Sequence, residues 1–542
     1  MSGIRGLEFE TRDAPSSSDP NRVDIALFVG LCDARGAPLD DERSAWLRQW
    51  CVTIGRPHAI ENEHIDLTLL DVPIPIDSWH VFDEFYAWDQ RTLSEGIVGA
   101  TYLGAAVRSF FAQGGRRCYV VAAGSPKPLA RVVVDRMKDL RAILPLYDGA
   151  GNLTPDPADP TTWKGGGCVY GLPDVTFVCA PDLVDLCAPT GLPRAHVTVR
   201  WAATEVFTVC SSEPPPAKPD SLAKDLPAPR VRLIPSPLTT PPPGTPPDGW
   251  ALWVKEIQNW LAIVERCRHE ALMIAGIPLP DEDDVPDTLP DGTLVHPAQD
   301  PAAFFRAPDQ RYVIDYDQIP HPDVAGALQS RFLQLAFPWV RTPLSPQLPD
   351  DLEPPDGTLV GLLARNALTR GTYSHAAAVP PIAVRDLHPQ LHRGAEDALS
   401  EFTCVIGEAP TGPALISDVT TSQDPYYQPG GVTRLVAALL RAARVLGEDL
   451  VFDPSNERLW RTIEDSLKRL LLGLWRAGAL RGATADDAFS VRCDRSTMSA
   501  DDIDNGRVIA EVSFAPSVGI DTIEVVLAMS DGGVEMRVGA AA

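Results

Sequence analysis

Between residues 452 and 516 the spacing of apolar positions changes from a helical to a strand period. Trp460, Ile463, Leu467, Leu470 and Leu474 recur at intervals of three and four, with Leu459 and Leu471 widening the stripe, which predicts an amphipathic helix with one buried face. The opposite face pairs Glu457 with Arg461, Glu464 with Lys468 and Asp465 with Arg469. Each acid stands four residues before its base, the order that supports a helix, by about 0.2–0.5 kcal/mol per pair. Asp453 or Ser455 is expected to cap the start, with Pro454 tolerated in the first turn, and Gly478 or Gly482 to end it. The period then drops to two. Residues 489–493 read as a short strand, 499–504 as an acidic helical turn, Asn505-Gly506 as a tight turn, and 507–514 as a strand alternating Val508, Ala510, Val512 and Phe514.

Upstream, strand-like and helix-like segments alternate. Strands are expected at 22–31, 73–76, 118–122, 174–180 and 275–278, with a further pair within 197–209. Helices are expected at 78–85 behind a Ser78 cap, at 100–111 before the Gly114-Gly115 stop, around 131–144, and at 250–273 with Trp253, Ile257, Trp260, Leu261 and Val264 on one face. Residues 324–335 also read as helix, 336–340 as extended, 358–366 as a Gly-containing helix that packs closely, and 432–446 as helix. The pattern predicts a mixed α/β (α+β) multidomain chain. The expected division is a terminal strand segment at 1–22, a first part of the core at 23–125, a middle α/β domain at 126–400 ending in a hinge region, a C-terminal domain at 401–515 opening on a strand at 402–405, and a tail at 516–542.

Both ends are strand-prone. Leu7, Phe9 and Thr11 alternate with Glu8, Glu10 and Arg12 before a polar tether at 13–20; Ile523, Val525 and Leu527 alternate with Glu524, Val526 and Ala528, and 534–538 gives a second strand. A lone N-terminal strand with no hairpin partner nearby has to pair elsewhere, as on the sheet edge of another subunit.

Composition narrows the picture. At 542 residues and 44% hydrophobic content the chain supports several domains and a sizeable core. A net charge of -26 disfavours a nucleic-acid coat, which needs Lys and Arg to neutralise phosphates. No apolar run approaches the roughly 20 residues needed to span a bilayer, and MSGIRGLEFE lacks the apolar region of a signal peptide, so cytoplasmic synthesis is expected. The ten cysteines are scattered without a CxxC pair and read as reduced, buried thiols. Proline, at 53 residues, is about twice its usual share, and its clustering marks surface insertions at 213–249 and 279–322.

No motif carries chemistry. Gly165-Gly166-Gly167 is followed by Cys168, not by the Lys-Ser/Thr of a phosphate loop. His388 and His392 have helical metal spacing, but Pro389 lies between them and no third ligand is near. Asp281–284 lacks the glycine and terminal glutamate of a calcium loop, and no GxSxG is present. No catalytic residue, metal or cofactor is therefore expected.

NERLW, LWRAGALRGAT, VRCDRSTM and DIDNGR, in that order, resemble the C-terminal domain of contractile tail sheath proteins of myophages, R-type pyocins and phage-tail-like contractile injection systems. AAVRSFFAQGGRRCYVV at 105–121 is a second match, and weaker ones lie at 75–85, 171–183 and 364–373. The resemblance implies a tail-sheath fold whose N- and C-terminal arms add strands to neighbouring subunits, here through Leu7, Phe9, Thr11, Ile523, Val525 and Leu527. It implies a structural subunit that polymerises helically around an inner tube and contracts, with further partners in baseplate and terminal cap proteins and none in nucleic acid or membrane. The helix bearing Glu457, Arg461, Glu464, Lys468 and Arg469 is the candidate tube-facing element. Assembly would be cytoplasmic, within a particle released on lysis. Of the family's particles an injection system is favoured, a myophage or R-type pyocin tail being the alternative; the remote alternative is an α/β enzyme.

Overall fold

The computed structural model describes residues 23–33, 41–54, 69–86, 88, 101–125, 133–144, 155–187, 249–279, 287–288, 294–295, 328–343, 345–348, 351–391, 393–410, 412–450, 454–517, 523–530 and 533–539. They form two units, a larger one from Asp24–Ala437 and a smaller one from Ala438–Ala515 and Thr522–Ala542.

In chain order the larger unit opens with β1 (Ala26–Leu31), α1 (Asp41–Thr53), β2 (Ile74–Ile76), α2 (Trp79–Tyr86), α3 (Leu103–Ala112), β3 (Cys118–Gly124) and α4 (Val133–Ile143). It continues through β4 (Phe177–Cys179), α5 (Leu183–Leu186), α6 (Gly249–Cys267), β5 (Leu272–Gly276), the two-residue strands β6 (Asp287–Thr288) and β7 (Leu294–Val295), β8 (Leu333–Phe337), β9 (Trp339–Arg341) and α7 (Asp356–Arg370). It closes with β10 (Asp386–His388), α8 (Arg393–Leu399), β11 (Cys404–Ala409), β12 (Gly412–Leu415) and the start of α9 (Gly430–Leu450).

Eight of these strands make one sheet in the order β12-β11-β8-β5-β4-β1-β3-β2. The six inner strands are parallel, and β2 and β12 are antiparallel edges. Every residue of β1, β5 and β8 is buried. A parallel sheet covered on both faces favours such buried, mostly apolar runs, and the one polar residue of the three strands, Gln334, is bonded to Asp418.

That burial explains the main departure from the sequence reading. Residues 333–335, expected to be helical, belong to β8, which lies between β5 and β11. A run this short, buried on both faces, offers too few positions for a period to distinguish strand from helix. Likewise the helix expected at 250–273 stops at Cys267, and its last two residues start β5. The domain limits shift as well. β3 and β4, on either side of residue 125, both pair with β1, and the strand expected to open a C-terminal domain is β11 of the same sheet, so the unit runs on to Ala437.

The core owes part of its tightness to glycine. Gly357 and Gly361 of α7 rest on the backbone of Ala106 and Phe110 in α3, where a Cβ at Gly357 would lie 2.2 Å from the Ala106 carbonyl oxygen. This is the close-packing helix read from 358–366.

The smaller unit contains α10 (Glu457–Arg476), α11 (Ala485–Ala488), β13 (Phe489–Arg492), α12 (Ala500–Asp504), β14 (Val508–Phe514), β15 (Ile523–Ser530) and β16 (Gly533–Gly539). Its strands form an antiparallel sheet in the order β13-β14-β15-β16.

Candidate assembly surfaces

α10 starts on Asn456, whose side-chain oxygen accepts from the amides of Arg458 at 3.0 Å and Leu459 at 3.1 Å. The cap is therefore Asn456 and not Ser455, whose hydroxyl instead receives the Trp460 indole N–H; Asp453 lies outside the described residues. Pro454 precedes the helix, and Gly478 ends it with φ at +82°. Leu459, Trp460, Ile463, Leu467 and Leu471 are buried, while Leu470 and Leu474 are half-buried. Of the three expected charge pairs, Lys468–Glu464 forms. Glu457 instead faces Arg495 at 4.0 Å, and Arg469 donates to the Asp465 carbonyl and the Ser466 hydroxyl. Glu457, Arg461, Lys468 and Arg469 are exposed and Glu464 half-buried.

Beside it, α12 begins in a capping box between Ser499 and Asp502, and Gly506 turns the chain at φ +69°. β14 alternates buried and half-buried residues as its sequence predicts. Ile523, Val525 and Leu527 lie in β15, opposite Phe514, Val512 and Ala510 of the same chain, and β16 pairs back on β15. Leu7, Phe9 and Thr11, and the strand pair expected within 197–209, lie outside the described residues.

In the larger unit the chain order reverses across β1, with β3 on one side and β4 on the other. The crevice at the carboxyl ends of such strands is where doubly wound sheets take ligands. Here two of the chain's own carboxylates bond backbone amides at the strand ends. Asp182, just past β4, accepts from the amides of Tyr102 and Leu103 at the start of α3 and from Leu31 at the end of β1. A helix N-terminus is favourable for negative charge, and Asp182 supplies it from within. Gly30 permits the approach, since a Cβ there would lie 2.3 Å from the Asp182 carboxylate. Asp356, first residue of α7, accepts from the Gly276 amide at the end of β5, and burial pushes its carboxyl up to about 7. Neither residue was singled out from sequence; the available signal was an aspartate directly after an apolar strand, Pro181-Asp182.

The glycine run lies in a 3-10 turn, Gly165–Gly171, whose Gly165 amide donates to the Asp71 carboxylate. His388 lies in β10; His392 and residues 281–284 fall outside the described residues. Among the described residues no group of three or more His, Cys, Asp or Glu side chains is placed to hold a metal, and no helix is long and apolar enough to cross a membrane. Among the described residues nine cysteines are free thiols, eight of them buried and Cys267 half-buried.

No family model matches the sequence, and no curated protein matches it. Solved structures do match. A chain of the anti-feeding prophage baseplate, 6-fold symmetrised, aligns with a TM-score of 0.53 at 16% identity over 96% of this chain and 97% of that one. A chain of the same baseplate in its contracted state aligns with a TM-score of 0.52 at 15% identity over 95% of each chain. A chain of the anti-feeding prophage helical sheath in its contracted state aligns with a TM-score of 0.50 at 16% identity, over 95% of this chain and 96% of that one. Over nearly the whole chain, the fold is that of a tail sheath protein.

Proposed function

We propose that this chain is the structural subunit of a contractile sheath, which polymerises helically around an inner tube and shortens to drive that tube through a target envelope in a phage-tail-like contractile injection system. The observation that carries the reading is the match in fold, over nearly the whole chain, to the helical sheath of the anti-feeding prophage.

A head-to-tail contact that does not close generates a helical filament. Strand exchange would bind its members. β15 pairs with β14 over seven register positions within one chain, and the identical strand of a neighbour would make the same backbone bonds. The segment with Leu7, Phe9 and Thr11 would add to a sheet edge of another subunit. The exposed side of α10, with Glu457, Arg461, Glu464, Lys468 and Arg469, would face the tube. Contraction requires two packings of one sequence with the extended one metastable, so its energy is stored at assembly and needs no nucleotide. The remaining partners are baseplate and terminal cap proteins, with no role for nucleic acid or membrane. Assembly would occur in the cytoplasm, with the particle released on lysis.

The test is negative-stain electron microscopy of the full chain expressed alone and with its tube protein. Hollow striated cylinders wider than the tube are expected; discrete globular particles under both conditions would overturn the reading.

A further inference from the structure

The start of α7 is seated with few backbone donors. Residues 353–357 read Glu-Pro-Pro-Asp-Gly, and all five are buried. Pro354 and Pro355 have no N–H to donate, and no side chain caps the helix at Pro355. The polar hold on the segment is one backbone bridge and two carboxyl groups. Glu353 exchanges both backbone bonds with Val340 of β9, each at 3.0 Å, and its Oε1 accepts from the Ser109 hydroxyl of α3 at 2.8 Å. Asp356 Oδ1 accepts from the Gly276 amide at the end of β5, so close that a Cβ on Gly276 would lie 2.8 Å from Oδ2. Gly357 then rests on the Ala106 backbone of α3.

The surroundings of both carboxyl groups suit a proton better than a charge. Glu353 and Asp356 are each 2% exposed, and Glu353 Oε2 and Asp356 Oδ2 have no hydrogen-bond partner among the described residues. The charged group that bears on Glu353 is Arg108 of α3, whose guanidinium lies over the Trp79 ring, 4.9 Å from its centroid. Those that bear on Asp356 are the Cys179 thiol of β4 and, just past β4, the Asp182 carboxylate, a like charge. At Glu353 burial outweighs the hydroxyls of Ser109 and Thr342 and the Arg108 charge. At Asp356 burial, joined by Asp182, outweighs the backbone amides and the thiol.

Opening the segment returns both groups to water, where a carboxyl titrates at lower pH. Between the two titrations the open form binds fewer protons, so it gains about tenfold per pH unit for each group, and the gain stops once both forms are ionised. Further along α7, Gly361 rests on the Phe110 backbone, a contact with nothing to titrate, which confines the opening to the start of the helix.

We propose that residues 353–357 are a proton-held latch: with Glu353 and Asp356 protonated the start of α7 is locked to α3 and β5, and loss of the two protons releases it while the rest of the larger unit stays folded. The latch belongs to the fold of the single chain and stands apart from the sheath reading. The test is hydrogen exchange read by mass spectrometry on the full chain from pH 5 to 8, each rate corrected for the intrinsic pH dependence of exchange. Protection of the Gly276 amide, bonded to the Asp356 carboxyl, and of the Val340 amide, bonded to the Glu353 carbonyl, should fall about tenfold per pH unit up to about pH 7 and then level off. The amides of β1 should keep their protection. Protection at Gly276 and Val340 that does not change with pH overturns the latch, and so does an equal fall in β1, which would mark global unfolding. Glu353→Gln combined with Asp356→Asn should remove the slope; a slope unchanged in that variant would place the protons elsewhere and overturn the assignment. Should the variant fail to fold, the wild-type series still decides.

Discussion

The Arg434 guanidinium donates to both carboxylate oxygens of Asp418, Nη1 to Oδ1 at 2.9 Å, with the two side chains 1% and 0% exposed. Gln334 of β8 donates to Oδ1 at 3.0 Å and the Ala376 amide to Oδ2 at 2.8 Å, so donors from three separate segments converge on one carboxylate. Burial alone would raise its pKa, but the Arg434 charge overrides this and holds it at about 2. Removing one partner leaves a buried charge uncompensated, which costs about 3–5 kcal/mol. Asp418→Asn and Arg434→Met should each lower the stability of the larger unit by that amount in urea unfolding. A loss below about 1 kcal/mol, the value of an exposed pair, would show that the bridge is not the anchor described.

Glu353, just before α7, is buried and accepts from the Ser109 hydroxyl at 2.8 Å, and burial pushes its carboxyl up to about 7. The folded pKa lies above the unfolded one, so the stability it contributes is fully present below the unfolded glutamate range and is lost as pH rises through about 7. Asp356 acts in the same direction. Melting temperature should therefore fall between pH 5.5 and 8, and Glu353→Gln should flatten that slope; equal slopes in both proteins would remove Glu353 as its source.

The cap of α10 gives a local test. Asn456→Ala should cost about 1 kcal/mol and Asn456→Gly only a few tenths, because glycine tolerates the cap conformation. Ser455→Ala should leave stability nearly unchanged. The reverse ranking would return the cap to Ser455.

Deleting residues 1–20 should leave the larger unit folded, since its sheet starts from β1, Ala26–Leu31. Under the proposed function that protein forms no cohesive sheath. Normal, contractile tubes from the truncated chain would exclude the N-terminal arm as a connector.

Reversing Arg461, Lys468 and Arg469 together to Glu should weaken docking of the sheath on its tube while the buried stripe keeps α10 folded. Co-assembly at wild-type yield, with a normal melting curve, would move the tube-facing surface elsewhere.

What could be read from sequence followed the physics of one-sided burial. α10 and β14 each bury one face, so their apolar residues carry a clear period and their extents were legible. β8 buries both faces and mimicked a helix, and the sheet joining β1 to β11 was hidden because no local pattern records which distant strands pair. α1 left too little trace to be read, with Leu47 and Cys51 its buried residues. Asn456 was passed over for neighbours that cap helices equally well. The charged side of α10 is exposed as its spacing implied, but Glu457 faces Arg495 rather than Arg461, and Arg469 bonds the Asp465 carbonyl and the Ser466 hydroxyl rather than the Asp465 carboxylate. The seat of Glu353 was invisible because its hold comes from Ser109, 244 residues distant.

Asp182 ties its own position to Leu31, 151 residues away, and to Tyr102, 80 away, through a single carboxylate. In mechanical terms it is a shear pin between β1, the start of α3 and the end of β4. A pull on any one of these segments is shared by the other two before a strand can slide, so the centre of the larger unit should bear load as one piece and yield abruptly rather than by stretching.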